Sequence, residues 1–168
     1  MAGHRELIVL MGPSACGKTT ISGMLGEALS APVIEGDDHH PPANKRKMAA
    51  GTPLTDEDRA AWIDSLAADS RARPDERLVL ACSALTAYVQ DRLRSESGRS
   101  VRFVLLDLPR DVLAQRLAAR TDHFMPVSLL DSQLAALDPP ADVLRVDATM
   151  APSAIVEHIR AELNEQSE

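Results

Sequence analysis

Aromatic side chains are nearly missing from this chain: Trp62, Tyr88, Phe103 and Phe124 are the whole set, 2% of 168 residues. Lysine is as scarce, with Lys18, Lys45 and Lys47 the only three among 18 basic residues. Two cysteines, Cys16 and Cys82, are too few for a disulfide framework and lack metal-ligand spacing. No apolar run approaches the roughly 18–20 residues of a membrane span. The first residues, Met-Ala-Gly-His-Arg-Glu, lead into a short apolar stretch without a long hydrophobic region or an Ala-x-Ala site, so no signal peptide is expected. Positive charge is also short: the net charge of −7 argues against nucleic-acid binding by phosphate neutralisation. These absences predict a cytoplasmic protein with reduced thiols and neither a membrane nor a nucleic-acid partner.

What is present fits one domain, residues 1–168, with an ordinary 45% of hydrophobic residues for a core. Short apolar runs alternate with longer amphipathic ones. Leu7–Met11, Val33–Ile34, Leu78–Cys82, Val101–Leu106 and Val143–Val146 read as five strands. The first has no polar alternation, as expected of a strand covered on both faces. Helical spacing predicts helices over Lys18–Leu29, from Thr55 through Ala67, and over Thr86–Ser97, Pro109–Arg120, Ser128–Leu137 and Pro152–Leu163. Thr55 can cap its helix, and Pro109 and Pro152 suit first turns. Strands alternating with helices imply an α/β fold: a five-stranded parallel sheet flanked by helices.

Gly12-Pro-Ser-Ala-Cys-Gly17-Lys18-Thr19 matches G-x-x-x-x-G-K-[ST] between the first strand and the first helix. Glycines let the backbone wrap phosphate oxygens, and successive N–H groups with the helix N-terminus face the anion. The nucleotide-binding candidates are therefore Gly12, Ser14, Ala15, Cys16, Gly17, Lys18, Thr19 and Thr20. Lys18 can reach the β- and γ-phosphates of ATP, and the Thr19 hydroxyl can ligate Mg²⁺ directly. Cys16 reads foremost as a small residue that fits the loop, with a reactive thiol the other reading.

After the second strand come Glu35-Gly36-Asp37-Asp38-His39-His40-Pro41. Strand ends in open α/β sheets face the ligand crevice. Two carboxylates there suit phosphoryl transfer: one orients Mg²⁺ through water, and the other accepts a proton from a substrate hydroxyl. An acidic, helix-capping turn is the plainer alternative. The paired histidines read as hydrogen-bonding groups rather than metal ligands.

The stretch Gly36-Asp37, His40-Pro41, Asn44, Lys47-Met48, Gly51, Pro53-Leu54, Asp56, Asp58-Arg59 and Trp62 resembles the thermoresistant-type gluconokinases. Cys82-Ser-Ala-Leu85, the R-L-x-x-R-x-x-H-F run from Arg116 to Phe124, Ser132-Gln133 and Leu137-Asp-Pro139 match further motifs of that family in the same order. The resemblance runs from about Leu7 to Val156. It implies ATP-dependent phosphorylation of D-gluconate on the fold of the nucleoside-monophosphate and shikimate kinases, with an acceptor-binding helical segment near residues 36–73 and a short lid near 120–128. By that resemblance Asp37 is the hydroxyl-orienting base, and Glu35 holds Mg²⁺ through water. His40, Lys47 and Arg59 line the acceptor pocket, Ser83 faces the phosphates or the substrate, and His123 binds the substrate. Arg116 stacks on the base, and Arg120 approaches the phosphates as a catalytic group. A homodimer is a further implication. For Arg59 an ion pair with Asp56 or a neighbouring acid is an equal reading.

The chain departs from the family pattern at Glu35, where aspartate is usual, and more sharply at Thr86, Val89 and Gln90, where Lys, Tyr and Arg are usual. Two positive charges are thereby lost near the expected acceptor site. Besides gluconate phosphorylation, two readings stay open: a kinase of the same fold with another small polyol or sugar-acid acceptor, and a nucleotide-binding regulator without catalysis.

Overall fold

The computed structural model describes residues 3–120 and 126–166. Its strands are β1 (Glu6–Met11), β2 (Val33–Glu35), β3 (Arg77–Ala81), β4 (Ser100–Asp107) and β5 (Leu144–Asp147). They form one sheet in the order β2-β3-β1-β4-β5, every pair parallel. The helices are α1 (Lys18–Leu29), α2 (Pro42–Ala49), α3 (Asp56–Ala72), α4 (Ala87–Glu96), α5 (Arg110–Ala119), α6 (Val127–Ala136) and α7 (Pro152–Glu165). A single 3₁₀ turn, Gly36–His39, follows β2.

All six residues of β1 are buried because it is the middle strand. Its alternate side chains feed two cores. Ile8 and Leu10 join Val79, Val104, Leu106 and Val146 under α1, α5 and α7, through Ile21, Leu25, Leu113, Leu117, Ile155 and Ile159. Leu7, Val9 and Met11 join Leu78, Leu80, Phe103 and Leu105 on the other face, under Trp62, Ile63 and Leu66 of α3 and Val89 and Leu93 of α4. Continuous apolar strands follow from helix cover on both faces.

The expected strands and helices are all present, most within one or two residues of their predicted ends. α3 opens with the cap the sequence promises: Thr55 Oγ1 accepts from Asp58 N at 3.2 Å, while Thr55 N donates to Asp58 Oδ2 at 3.0 Å. Pro152 occupies the first turn of α7, whereas Pro109 is the residue capping α5 rather than its first turn. α2 and the 3₁₀ turn were not read from the sequence. α2, Pro-Ala-Asn-Lys-Arg-Lys-Met-Ala, has only Asn44 buried, so it carries no apolar stripe to reveal it. α5 stops at Ala119, and Arg120 has extended backbone (φ −73°, ψ 130°). The helix expected over Pro109–Arg120 therefore ends one residue short, and Arg120 lies past it rather than one turn on from Arg116. The lid expectation falls largely on residues 121–125, outside the described residues, and so does His123.

At the end of the sheet away from the carboxyl termini of the strands, Arg99 is 6% exposed. Its guanidinium donates to the carbonyls of Ser70, Arg73, Asp75 and Glu76 at 2.7–3.2 Å. Ser70 and Arg73 carry carbonyls at the α3 C-terminus that no intrahelical donor reaches. In Arg99→Ala the Ser70 and Asp75 carbonyls lose their donor, while Arg73 keeps Arg5 and Glu76 keeps the Glu6 amide. Urea unfolding should show a loss of about 2–4 kcal/mol, since two carbonyls lose their donor at once; a loss below about 0.5 kcal/mol would contradict this role.

Candidate active site

The carboxyl ends of β1, β2 and β3 meet on one edge of the molecule, and the chemistry-bearing residues follow each of them. Gly12 leaves β1 at φ 144°, Ala15 has φ 69° and Gly17 φ 102°. The loop is thus a run of left-handed turns, which is why glycine stands at its two ends. A Cβ on Gly12 would sit 2.9 Å from Cys16 Sγ and 3.3 Å from the Leu106 carbonyl. Cys16 is 1% exposed, so its thiol fills the space beside Gly12, in line with the reading of a small residue that fits the loop. Gly12 N donates to the Ser83 carbonyl at 3.2 Å, which ties the loop to the residue after β3. No side chain caps the α1 N-terminus, so the first amides of the helix point out of the loop without an acceptor.

Lys18 Nζ lies back over the loop, donating to the Gly12 and Pro13 carbonyls at 2.8 and 3.0 Å. Arg116 Nη1 reaches the Ala15 carbonyl at 3.5 Å. Arg116 and Arg120 are both exposed. Thr19 and Thr20 open α1 at the surface. Thr19 Oγ1 donates to Glu35 Oε2 at 2.9 Å, so the helix and the end of β2 share a pair of hard oxygen donors. Burial pushes the Glu35 carboxyl above its ordinary value; the Thr19 hydrogen bond opposes the shift, and the nearby Asp37 charge adds to it. A divalent cation would relieve that repulsion, and oxygen ligands of this kind suit Mg²⁺.

Gly36 lets β2 end against β3. A Cβ there would meet the Ala81 carbonyl at 2.5 Å. Trp62 Nε1 donates to the Gly36 carbonyl at 2.8 Å, and the His40 ring stacks on Trp62 with centroids 4.2 Å apart. Asp37, on the turn between these contacts, is exposed at the mouth of the site. Asn44 bridges His40 Nδ1 at 3.2 Å and the Asp58 carbonyl at 2.9 Å. Lys47 Nζ pairs with Asp58 Oδ2 at 2.7 Å, and Arg59 Nη1 with Asp56 Oδ1 at 3.1 Å. The Lys47 hydrogen bond, with the Thr55 amide, holds the Asp58 carboxyl down at about 2. His39 sits between Ser65 Oγ and Asp69 Oδ2, pinning the turn to α3.

The structure therefore brings Lys18, Thr19, Glu35, Asp37 and Ser83 to one edge. His40 is mostly buried beneath it, and Lys47 and Arg59 are in ion pairs with Asp58 and Asp56. Of the departures from the family pattern, Val89 is 1% exposed and in the core. Gln90 is 3% exposed and donates to the Ala84 and Asp138 carbonyls, both at 2.9 Å. Neither side chain opens onto solvent. Thr86 precedes α4, and its buried Oγ1 has no hydrogen-bond partner. The sequence reading gave Gln133 no role beyond a motif match. Its Oε1 accepts the Ser14 N–H at 2.8 Å, although 119 residues separate them. Membership of the Ser-Gln pair was the only signal available.

A phosphate loop at the head of the middle strand, facing carboxylates from the next strand of a parallel sheet, defines a P-loop kinase. The chain matches the AAA domain family over residues 7–140. It is 42% identical to a gluconokinase of Gluconobacter oxydans over 160 residues, covering 92% of this chain and 89% of that one. Among solved structures, it is similar to a gluconokinase from Sinorhizobium meliloti, with TM-score 0.81, 37% identity and 99% of each chain covered. It is also similar to a sugar kinase from a Janibacter species, with TM-score 0.86, 37% identity, 96% of this chain and 95% of that one. The chain belongs to the gluconokinase family.

Burial beside Trp62 drives the His40 imidazole down to about 4, with Asp37 partly opposing and Lys45 and Arg59 reinforcing the shift. The fold thus favours neutral His40. Its contribution is complete above the unfolded value of about 6.5 and is lost as the pH falls from there towards 4, because the unfolded chain takes up the proton first. Stability measured from pH 7 to pH 4 should fall less steeply in His40→Asn than in the native protein. Equal slopes would show that His40 does not titrate this way.

Proposed function

We propose that the chain transfers the γ-phosphoryl group of ATP to D-gluconate, giving ADP and 6-phospho-D-gluconate, with Mg²⁺ and in the cytoplasm. The observation that carries this reading is the meeting of the Gly12–Thr19 loop with the Glu35-Gly36-Asp37 turn, in a chain of the gluconokinase family. Residues 1–168 act as one kinase domain, with residues 36–73 as the acceptor segment.

The α1 amides and Lys18 bind the β- and γ-phosphates. To do so, Lys18 exchanges the Gly12 and Pro13 carbonyls for phosphate oxygens, a gain in charge complementarity. Thr19 and, through water, Glu35 hold Mg²⁺, which when bound neutralises charge on the phosphates. Asp37 accepts the proton of the acceptor hydroxyl as the new O–P bond forms and the bond to the ADP oxygen breaks. Its exposure at the mouth of the site supports that role. Arg120 stabilises the transferring group, and Arg116 moves from Ala15 to the base. Ser83 faces the substrate. Lys47 and Arg59 supply cations for the gluconate carboxylate, and neutral His40 offers a hydroxyl partner. Positioning and charge stabilisation do most of the work.

A second acceptor reading rests on Thr86, which stands uncharged where the family has lysine. A panel of sugar acids, polyols, shikimate and nucleoside monophosphates, read by ADP release, separates the readings. Gluconate should lead by a wide margin, and kcat should fall about 10³-fold in Asp37→Asn, the scale of general-base catalysis, with Lys18→Ala losing nucleotide binding as well. A folded, ATP-binding protein that is silent with gluconate would rule out the named substrate. Silence across the panel would favour a regulator.

A further inference from the structure

The phosphate loop is not held by its own segment alone. Its third residue, Ser14, gives its N–H to the Gln133 amide oxygen at 2.8 Å, across 119 residues of chain. The neighbouring residue, Ala15, is one of the few non-glycine residues with positive φ, at 69°. An L-residue in that region needs outside contacts to persist, at a cost of order 1 kcal/mol or more. The contacts on the two sides of Ala15 are identifiable: Gln133 on the Ser14 amide, and Arg116 on the Ala15 carbonyl.

α6 is built to carry such a brace. Leu129 and Leu130 are 3% and 0% exposed and fasten the helix to the body of the protein. Arg110 of α5 grips Asp131 through two hydrogen bonds, at 2.6 and 3.1 Å. At its other end, α6 meets the acceptor segment. The turn at Gly51 (φ 76°) approaches so closely that a Cβ there would lie 3.3 Å from Pro126 Cγ and 3.8 Å from Ser128 Oγ. Gln133 is half-buried and shares one face of the helix with Leu129 and Leu130, four and three residues earlier.

We propose that Gln133 is a positioning residue of the phosphate loop: its amide oxygen fixes the Ser14 N–H and so presets the loop conformation in which the remaining amides converge on the nucleotide phosphates. Gln133 does not touch the reacting atoms. It acts through Ser14 and Ala15, and the brace remains in place when nucleotide binds. The proposal rests on the assignment of Gly12–Thr19 as the nucleotide site, but it does not depend on the acceptor being gluconate.

Two measurements test it, amide exchange at Ser14 and nucleotide binding, and neither depends on which acceptor is used. In the native protein the Ser14 amide proton should exchange at least tenfold more slowly than an unstructured amide, by NMR without nucleotide. An unprotected Ser14 amide overturns the proposal without any variant. Gln133→Met keeps the length and apolar contacts of the side chain and removes the acceptor. It should speed Ser14 exchange and weaken binding of a non-hydrolysable ATP analogue about tenfold, the scale of one buried hydrogen bond. It should also raise KM for ATP by a similar factor, with kcat at saturating ATP within about twofold. Gln133→Glu keeps an oxygen acceptor and should restore Ser14 protection. A merely packing role for α6 would leave affinity unchanged in Gln133→Met. Tighter binding would mean that Gln133 competes with phosphate for the amide. Either result overturns the proposal. Failure of gluconate phosphorylation with these binding results intact would fault the acceptor reading and leave the brace standing.

Discussion

The close approach of the β2 and β3 ends at Gly36 is the constraint on which the site depends. The Gly36 backbone lies so near the Ala81 carbonyl that no side chain fits between them. The Trp62 indole then takes the Gly36 carbonyl and carries His40 on its face. These contacts place Glu35 on one side of the junction, against Thr19, and Asp37 on the other, open to the mouth. A bulkier residue at position 36 would push β2 away from β3 and separate the carboxylates from the phosphate loop.

Electrostatics at that edge are arranged around an expected partner. Glu35 is buried enough for its carboxyl to be shifted upward, and the Asp37 charge compounds this. Lys18, the nearest lysine, is meanwhile occupied by loop carbonyls rather than by either acid. Such an arrangement is electrostatically incomplete, as a site for a polyanion and its cation should be. The segment from α2 into the start of α3 differs: Lys47–Asp58 and Arg59–Asp56 pairs neutralise it locally.

The departures from the family pattern change meaning in three dimensions. In sequence, Gln90 reads as a lost positive charge and Val89 as a lost tyrosine. Val89 is a core residue and Gln90 joins the carbonyls of Ala84 and Asp138 from within α4. Thr86 is the departure that its surroundings leave unsatisfied, since its buried hydroxyl lacks a hydrogen-bond partner. It stands out in a chain whose three lysines all lie in the phosphate loop or α2.

The sequence by itself determined the parallel sheet, the order of its helices, the phosphate loop and the family. Apolar runs, helical periodicity and G-x-x-x-x-G-K-T are local signals, and each is set by residues close together in the chain. The Thr55–Asp58 cap was legible for the same reason. What only the tertiary structure decided lies between distant segments: the Ser14–Gln133 bond, the seat of His40 on Trp62, and the carbonyl cage around Arg99. It also decided that Arg120 falls past the end of α5 and that the weakly apolar Pro42–Ala49 is a helix. Such features depend on packing across the fold, because a backbone amide or an imidazole takes whichever partner the neighbouring elements bring within reach, and no spacing along the chain encodes that choice.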